Sequence, residues 1–131
     1  MARRHSILVV DDEPGICELL SEALKLNGYE VRTAVNGRDG YDQAVMYQPD
    51  LVLLDVMMPI WDGWQALEHL QRNPRTEHIP VIMLTAKSET ESVFRSQERK
   101  VVDYFIKPIV IKELLTYLHR YFDLQALDKP E

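Results

Sequence analysis

Short continuous runs of hydrophobic residues alternate along the chain with stretches in which apolar positions recur every three or four residues. The short runs have the length of β-strands, and continuous apolarity is typical of strands buried on both faces of a parallel sheet. Five strands are predicted, at residues 6–10, 30–34, 50–55, 80–84 and 101–106. The run over 51–54 is apolar throughout and indicates a central strand, whereas 30–34 has a more polar face that is typical of a sheet edge.

The stretches with three- and four-residue spacing predict amphipathic helices, each placed after one of the strands. The first begins at Pro14 and ends near Gly28, the second ends before Pro49, the third begins near Asp62, and the last two cover about 88–100 and 111–122. The tail from about residue 125 is expected to be frayed. Five strands alternating with five helices predict an α/β fold with a doubly wound parallel sheet and right-handed crossovers.

Length, composition and net charge restrict the functions that the protein can have. A chain of 131 residues is the size of one domain, with 46% hydrophobic and 27% charged residues, as in ordinary soluble proteins. The net charge of −6 argues against nucleic acid as a direct partner, because phosphate backbones select basic surfaces. We find no apolar run long enough for a membrane span. The single cysteine, Cys17, cannot form an internal disulfide and is interpreted as a small buried side chain, so a cytoplasmic protein is expected.

Reactive polar groups follow four of the five predicted strands. They are the pair Asp11 and Asp12, then Asp55, Thr85 and Lys107. Because the carboxyl ends of parallel strands lie at one edge of a sheet, where ligands bind, we expect these groups to converge. Each type alone has a common structural role: aspartate caps turns, aspartate and threonine cap helices, and lysine is often a solvated charge. Four such groups in order favour a functional site.

The segments that surround these groups resemble response-regulator receiver domains, the phosphoacceptor half of two-component signalling. The matching segments are Val-Val-Asp-Asp-Glu-Pro at 9–14, Leu-Leu-Asp-Val-Met-Met-Pro at 53–59 with Asp-Gly at 62–63, Leu-Thr-Ala at 84–86, and Tyr104 three residues before Lys-Pro at 107–108. The resemblance covers residues 6 to about 123. It implies a flavodoxin-like, five-stranded parallel sheet of order 2-1-3-4-5 with five helices. Residues 1–131 would be a single receiver domain with a tail at 124–131.

The chemistry of these residue types agrees with that resemblance. A carboxylate can attack a phosphoryl group to form an acyl phosphate, and Mg²⁺ relieves the repulsion between crowded carboxylates. The resemblance implies that Asp55 is the phosphoacceptor and that Asp12 and Asp55 bind Mg²⁺ directly. It further implies that Asp11 acts through water and that Met57 supplies its backbone carbonyl. Lys107 would pair first with Asp55 and then with a phosphoryl oxygen.

The resemblance also implies a conformational switch. Thr85 would hydrogen-bond the phosphoryl group, and Tyr104 would turn inward in response, although a tyrosine on an edge strand is often simply half-buried. A histidine kinase or phosphotransfer protein would be the donor. The fourth helix, fifth strand and fifth helix would contact a downstream protein, a fused output domain or a second copy. Two departures, residues 99–101 in place of a Gly-Ala pair and Ile109 in place of phenylalanine, leave the partner open.

Two other functions fit parts of the pattern. A phosphatase of the haloacid-dehalogenase type uses a strand-end aspartate with Mg²⁺, but it requires a second aspartate where this chain has Met57. A flavodoxin relative should have Ser, Thr and Gly in its first loop, whereas the acidic residues 11–13 would repel a phosphate. The favoured interpretation is a switch that catalyses its own phosphorylation and dephosphorylation and is not a turnover enzyme.

The remaining aromatic residues and histidines suggest no further chemistry. Trp64 is interpreted as a core residue and Trp61 as a partly exposed loop residue, with contact to a partner as the alternative. The four histidines show no metal-ligand spacing and are interpreted as surface residues; they are His5, His69, His78 and His119.

Overall fold

All five predicted strands form one parallel sheet in the computed structural model, which describes residues 4–86 and 101–128, the side chains of 127 and 128 excepted. The strands are β1 (Ser6–Val10), β2 (Glu30–Ala34), β3 (Leu51–Asp55), β4 (Val81–Ala86) and β5 (Asp103–Lys107). Their order in the sheet is β2-β1-β3-β4-β5. The predicted strand order and the edge position of β2 are therefore confirmed.

Four helices lie in the described ranges. They are α1 (Pro14–Leu26), α2 (Gly37–Tyr47), α3 (Gly63–Arg72) and α4 (Ile111–Asp128). The fifth predicted helix, over residues 88–100, lies outside the described residues. None of the helices within 4–86 and 101–128 combines the length and apolarity needed to cross a membrane.

Several element boundaries differ from the sequence predictions. β5 begins at Asp103 rather than at residue 101, although the Val102 amide before it already donates to the Val81 carbonyl of β4 at 2.8 Å. β4 extends through Thr85 to Ala86, two residues beyond its predicted end. The tail predicted to be frayed from residue 125 is helical as far as Asp128, because glutamine, alanine and leucine in this stretch are good helix formers.

The sheet separates two hydrophobic layers, one on each face. Alternate residues of β1, β3 and β4 point to opposite faces, as strand geometry requires. One layer joins the sheet to α1 and α4 through Leu20, Leu24, Leu114 and Leu118, and the other joins it to α2 and α3 through Ala44, Leu67 and Leu70. Every residue of β3 is buried, so this strand is packed on both faces and holds Asp55, its last residue, in a rigid position.

The loop after β3 is closed tightly by the start of α3. The Asp62 carboxylate caps the helix by accepting from the Gln65 amide at 2.9 Å, and the Gln65 side chain accepts from the Asp62 amide at 3.0 Å. The Gly63 amide donates to the Val56 carbonyl at 2.7 Å. A Cβ atom on Gly63 would lie 2.3 Å from the Asp55 carbonyl oxygen, so only glycine fits there.

Candidate functional site

The first part of the site is the turn between β1 and α1. Asp11 follows β1 directly and is completely buried, and its amide donates to the Ala34 carbonyl at 3.0 Å. Its Oδ1 atom accepts from the Glu13 amide at 3.0 Å, which forms an Asx turn. The carbonyl of Asp11 accepts from the Cys17 thiol at 3.2 Å. Asp12, between these contacts, is exposed at the surface.

The second part of the site is the side chain of Lys107, which reaches across the sheet from the end of β5. Its Nζ atom lies 2.9 Å from Asp11 Oδ2 and 3.3 Å from Asp55 Oδ1. Asp11 Oδ2 is buried and accepts no hydrogen bond of good geometry from the described residues, so the ammonium group contacts it as an ion pair. The structure thus brings together Asp11, Asp55 and Lys107 from three different strands.

Asp55 lies in an unusual electrostatic environment. Its side chain is almost completely buried, and the Met57 amide donates to its Oδ1 atom over a long 3.4 Å. Burial first and the charge of Asp11 second raise the pKa of Asp55 to about 7, although Lys107 acts in the opposite direction. Burial is also the largest single influence on Lys107, and it lowers the pKa of that ammonium. The ion pairs with Asp11 and Asp55 together outweigh burial and leave the Lys107 pKa raised.

The same carboxylates form a set of oxygen donors suited to a metal ion. Ligand atoms of Asp11, Asp12 and Asp55 all lie within 4.8 Å of one another. Three carboxylates without nitrogen or sulfur donors favour a hard divalent cation such as Mg²⁺. Burial is the main cause of the raised pKa of Asp55, and the nearby Asp11 carboxylate adds a repulsion that such a cation would relieve. The donor set therefore fits Mg²⁺, and the exposure of Asp12 leaves one side of the set open to solvent.

Thr85 and Tyr104 lie beside this group on neighbouring strands. Thr85 is buried, and its hydroxyl donates to the Ala86 carbonyl at 3.3 Å rather than to the Asp55 carboxylate. The pairing of β4 with β5 places Met83 opposite Tyr104 and Thr85 opposite Ile106. Thr85 and Tyr104 consequently share one face of the sheet, two residues apart along the strands. Tyr104 is half-buried and packs against the hydrophobic layer under α2 and α3.

Three residues near the site were not among the predicted functional residues. Glu13 places a carboxylate oxygen 3.9 Å from Lys107 Nζ, and Gly63 permits the close approach of α3 to the Asp55 backbone. Both lie in the segments that resemble receiver domains, at 9–14 and 62–63, so their positions next to Asp12 and Asp62 could have suggested them. Cys17 is buried as predicted, and burial together with the charge of Asp11 raises the pKa of its thiol. Its contact with the Asp11 carbonyl had no signal in the sequence.

Comparisons with known proteins agree on one family. Residues 7–119 match the response regulator receiver domain. The chain is 41% identical over 109 residues to the DNA-binding dual master transcriptional regulator RpaA of Synechocystis sp., which covers 83% of this chain and 45% of that protein. It is 43% identical over 115 residues to the phosphate regulon transcriptional regulatory protein PhoB of Escherichia coli, covering 88% and 49% respectively.

A solved structure gives the same result. The chemotaxis response regulator CheY4 of Vibrio cholerae superimposes with a TM-score of 0.83 at 28% identity, covering 90% of this chain and 98% of that one. The chain spans slightly less than half the length of RpaA and PhoB. The similarity is therefore to the receiver part of those longer regulators.

Proposed function

The chain belongs to the response regulator receiver domain family, and from this premise we propose that it is a phosphorylation switch with Asp55 as the phosphoacceptor. The observation that supports Asp55 is its nearly complete burial at the carboxyl edge of the sheet, where its carboxylate shares the Lys107 ammonium with Asp11. The phosphoryl donor is a histidine kinase or a phosphotransfer protein. The chain is not a turnover enzyme, and its location is the cytoplasm.

The proposed transfer is a displacement at phosphorus. A carboxylate oxygen of Asp55 forms the new bond to phosphorus while the bond from phosphorus to the imidazole nitrogen of the donor histidine breaks. The electron pair of that bond stays on the imidazole, which takes up a proton. Lys107 exchanges its contact with the Asp55 carboxylate for one with a phosphoryl oxygen, so the positive charge remains beside the reacting group throughout.

Asp11, Asp12, Asp55 and the backbone carbonyl of Met57 would hold Mg²⁺. When bound, Mg²⁺ supplies positive charge that neutralises the phosphoryl oxygens and the surrounding carboxylates. The all-oxygen donor set and the crowding of the three carboxylates support this assignment. The side chain of Met57 takes no part in it, in keeping with its exposure to solvent.

The response to phosphorylation runs through Thr85 and Tyr104. The Thr85 hydroxyl leaves the Ala86 carbonyl and donates to the phosphoryl group, and Tyr104 moves into the space beside it, which shifts an existing equilibrium. The responding surface consists of the helix predicted over 88–100, β5 and α4. In the described part of this surface, Ile106 and Val110 are exposed by 51% and 52%, which suits contact with another protein.

The partner on this surface is a downstream protein, a fused output domain or a second copy of the chain. RpaA and PhoB are named as transcriptional regulators and are about twice as long as the matched region. A fused output domain is accordingly one form that the partner takes. The net charge of −6 argues against direct contact between this domain and nucleic acid.

Labelling with a small phosphodonor tests the proposal. Wild-type protein incubated with acetyl phosphate and Mg²⁺ should gain one phosphoryl group by intact-mass spectrometry, and Asp55→Asn should gain none. Asp50→Asn, at the opposite end of β3, is the matched control and should be labelled like the wild type. Undiminished labelling of Asp55→Asn would overturn the assignment. Steady release of inorganic phosphate with many turnovers would instead favour the phosphatase interpretation.

A further inference from the structure

Trp61, in the loop that joins β3 to α3, is held between two helices. Its indole stacks on the His69 imidazole with ring centroids 3.9 Å apart and planes inclined by 2°. The Tyr41 ring lies 5.7 Å from both of these rings, and the Arg38 guanidinium lies 5.2 Å from the indole centroid. The Tyr41 hydroxyl is itself fixed, because it accepts a hydrogen bond from the Asn73 side-chain Nδ2 at 2.9 Å. We call Tyr41, Trp61 and His69 the aromatic clamp.

The backbone of Trp61 is also in close contact with helix α2. A Cβ atom on Gly37, the first residue of α2, would lie 2.3 Å from the Trp61 carbonyl oxygen and 2.8 Å from the Trp61 Cβ atom. The start of α2 therefore packs directly against the loop backbone. The residue before Trp61, Ile60, has a φ of 72°, a left-handed conformation that is costly for a β-branched side chain. The fixed position of the next residue, Trp61, in the clamp and against Gly37 restrains the loop on one side of Ile60.

The loop over residues 56–62 has further fixed points on both sides of Met57. The Val56 amide donates to the Leu84 carbonyl at 2.9 Å, and the Val56 carbonyl accepts from Gly63 at 2.7 Å. Met58 is half-buried and packs against the layer under α2 and α3. Met57, between these anchors, exposes 62% of its surface. Its backbone is consequently positioned by its neighbours and not by its own side chain.

We infer that Trp61 is a positioning residue, whose aromatic clamp holds the loop so that the Met57 backbone carbonyl is preorganised for a divalent cation. This inference rests on the proposed metal site. A loop that is already ordered loses little backbone entropy when the cation binds, whereas a released loop must be ordered at that moment. The clamp thereby acts on cation affinity from two helices that supply no ligand to the metal.

If the clamp only stabilised the fold, removing any similar aromatic pair would have the same effect on cation binding. A second stacked pair elsewhere in the molecule serves as the control. His5 stacks on Phe122 with centroids 4.0 Å apart and planes inclined by 11°. This pair joins the amino end of β1 to α4, at the opposite end of the sheet from the acidic residues. It resembles the Trp61–His69 pair in geometry but touches no part of the loop over 56–62. Removing this pair should lower stability without releasing the Met57 backbone.

The experiment measures Mg²⁺ affinity by titration calorimetry together with the unfolding free energy in urea. Trp61→Ala should weaken Mg²⁺ binding about tenfold and His69→Ala about threefold, whereas Trp61→Phe, which can still stack, should stay within about twofold of the wild type. His5→Ala should leave Mg²⁺ affinity unchanged. Amide hydrogen exchange of Met57 and Met58 in the metal-free protein should accelerate in Trp61→Ala and not in His5→Ala.

The outcomes separate this inference from the proposed function. No Mg²⁺ binding by the wild type would overturn the proposed metal site, and with it the inference. Wild-type binding with equal affinity in folded Trp61→Ala and His69→Ala would overturn the inference alone. Equal weakening by His5→Ala and Trp61→Ala would also overturn it, since the effect would then follow overall stability. Should Trp61→Ala fail to fold, the comparison of His69→Ala with Trp61→Phe decides the question.

Discussion

Two aspartates at opposite ends of β3 illustrate how differently one residue type is used in this molecule. Asp50 precedes the strand, and its Oδ2 atom accepts from the Ser6 amide at 2.7 Å and from the Ser6 hydroxyl at 3.3 Å. Its own amide donates to the Ser6 carbonyl at 2.9 Å. Asp55 ends the strand with one long amide contact and a lysine that it shares with Asp11. The amino end is closed by hydrogen bonds, whereas the carboxyl end retains crowded charge.

The difference indicates that charge at the carboxyl end is kept at a cost to stability. Burial, with few hydrogen-bond donors nearby, raises the pKa of Asp55, because the fold disfavours the ionised carboxylate. Natural proteins accept such unfavourable groups mainly where they carry function. Three substitutions test this contrast, and they are ordered by the expected change in the free energy of unfolding, from the largest loss to a gain.

Gly63→Ala should have the largest effect. The added Cβ atom would lie 2.3 Å from the Asp55 carbonyl oxygen and 2.8 Å from the Val56 Cα atom, so backbone must shift at the carboxyl end. We expect a loss of about 3 kcal/mol in the free energy of unfolding, measured in urea. Gly15→Ala is the control, because nothing lies within 4 Å of its added atom, and it should be neutral or stabilising. Equal stability of the two variants would contradict the close approach of α3 to β3.

Asp50→Ala should destabilise the protein by about 2 kcal/mol, because it leaves the Ser6 amide and hydroxyl without their carboxylate partner. Thermal and urea unfolding both measure this loss. Mg²⁺-dependent labelling of the folded variant should remain unchanged, since Asp50 lies at the other end of β3. A variant that is as stable as the wild type would show that the amino end does not depend on these hydrogen bonds.

Asp55→Asn should act in the opposite direction and stabilise the metal-free protein at neutral pH. The pKa of Asp55 is raised from 3.8 to about 7, so the fold favours the neutral form. The stability that this preference contributes is fully present below pH 4 and is lost as the pH rises from there through 7. Asparagine stays neutral, so the variant should exceed the wild type by about 2 kcal/mol at pH 8 and converge with it near pH 4.

Urea unfolding across this pH range, in the presence of a chelator, measures the difference between Asp55→Asn and the wild type. Saturating Mg²⁺ should reduce the advantage of the variant at pH 8, because the cation stabilises the ionised wild-type site. If the wild type instead gains stability relative to Asp55→Asn as the pH rises, the claim that the ionised Asp55 carboxylate destabilises the metal-free fold is contradicted.

The sheet could be predicted from the sequence because each strand is a continuous apolar run followed by a break. That pattern placed Asp11, Asp55, Thr85 and Lys107 at strand ends, and parallel pairing then placed them at one edge. Family resemblance is confirmed by the match over residues 7–119. The roles of the individual site residues and the single-domain extent of residues 1–131 stay predictions.

What the sequence left out depends on contacts between distant segments. Trp61 has the pattern of a loop aromatic, and its stacking on His69 and Tyr41 follows from how α2 and α3 pack, which no local spacing encodes. His69 is exposed, as the interpretation of it as a surface residue requires, but its contact with Trp61 was not predicted. The contact of the Cys17 thiol with the Asp11 carbonyl is local by contrast, since the first turn of α1 directly follows the Asx turn at Asp11. Such contacts set geometry without changing the hydrophobic pattern.

The central claim, that the carboxyl end of β3 is reactive and the amino end is structural, is tested most directly by mapping the phosphoryl group. Wild-type protein treated with acetyl phosphate and Mg²⁺ is reduced with borohydride, which converts an acyl phosphate of aspartate to homoserine. Peptide fragmentation then distinguishes Asp50 from Asp55. The expected result is homoserine at Asp55 with Asp50 intact. Homoserine at Asp50, at Asp11 or at Asp12, with Asp55 unchanged, would contradict the account.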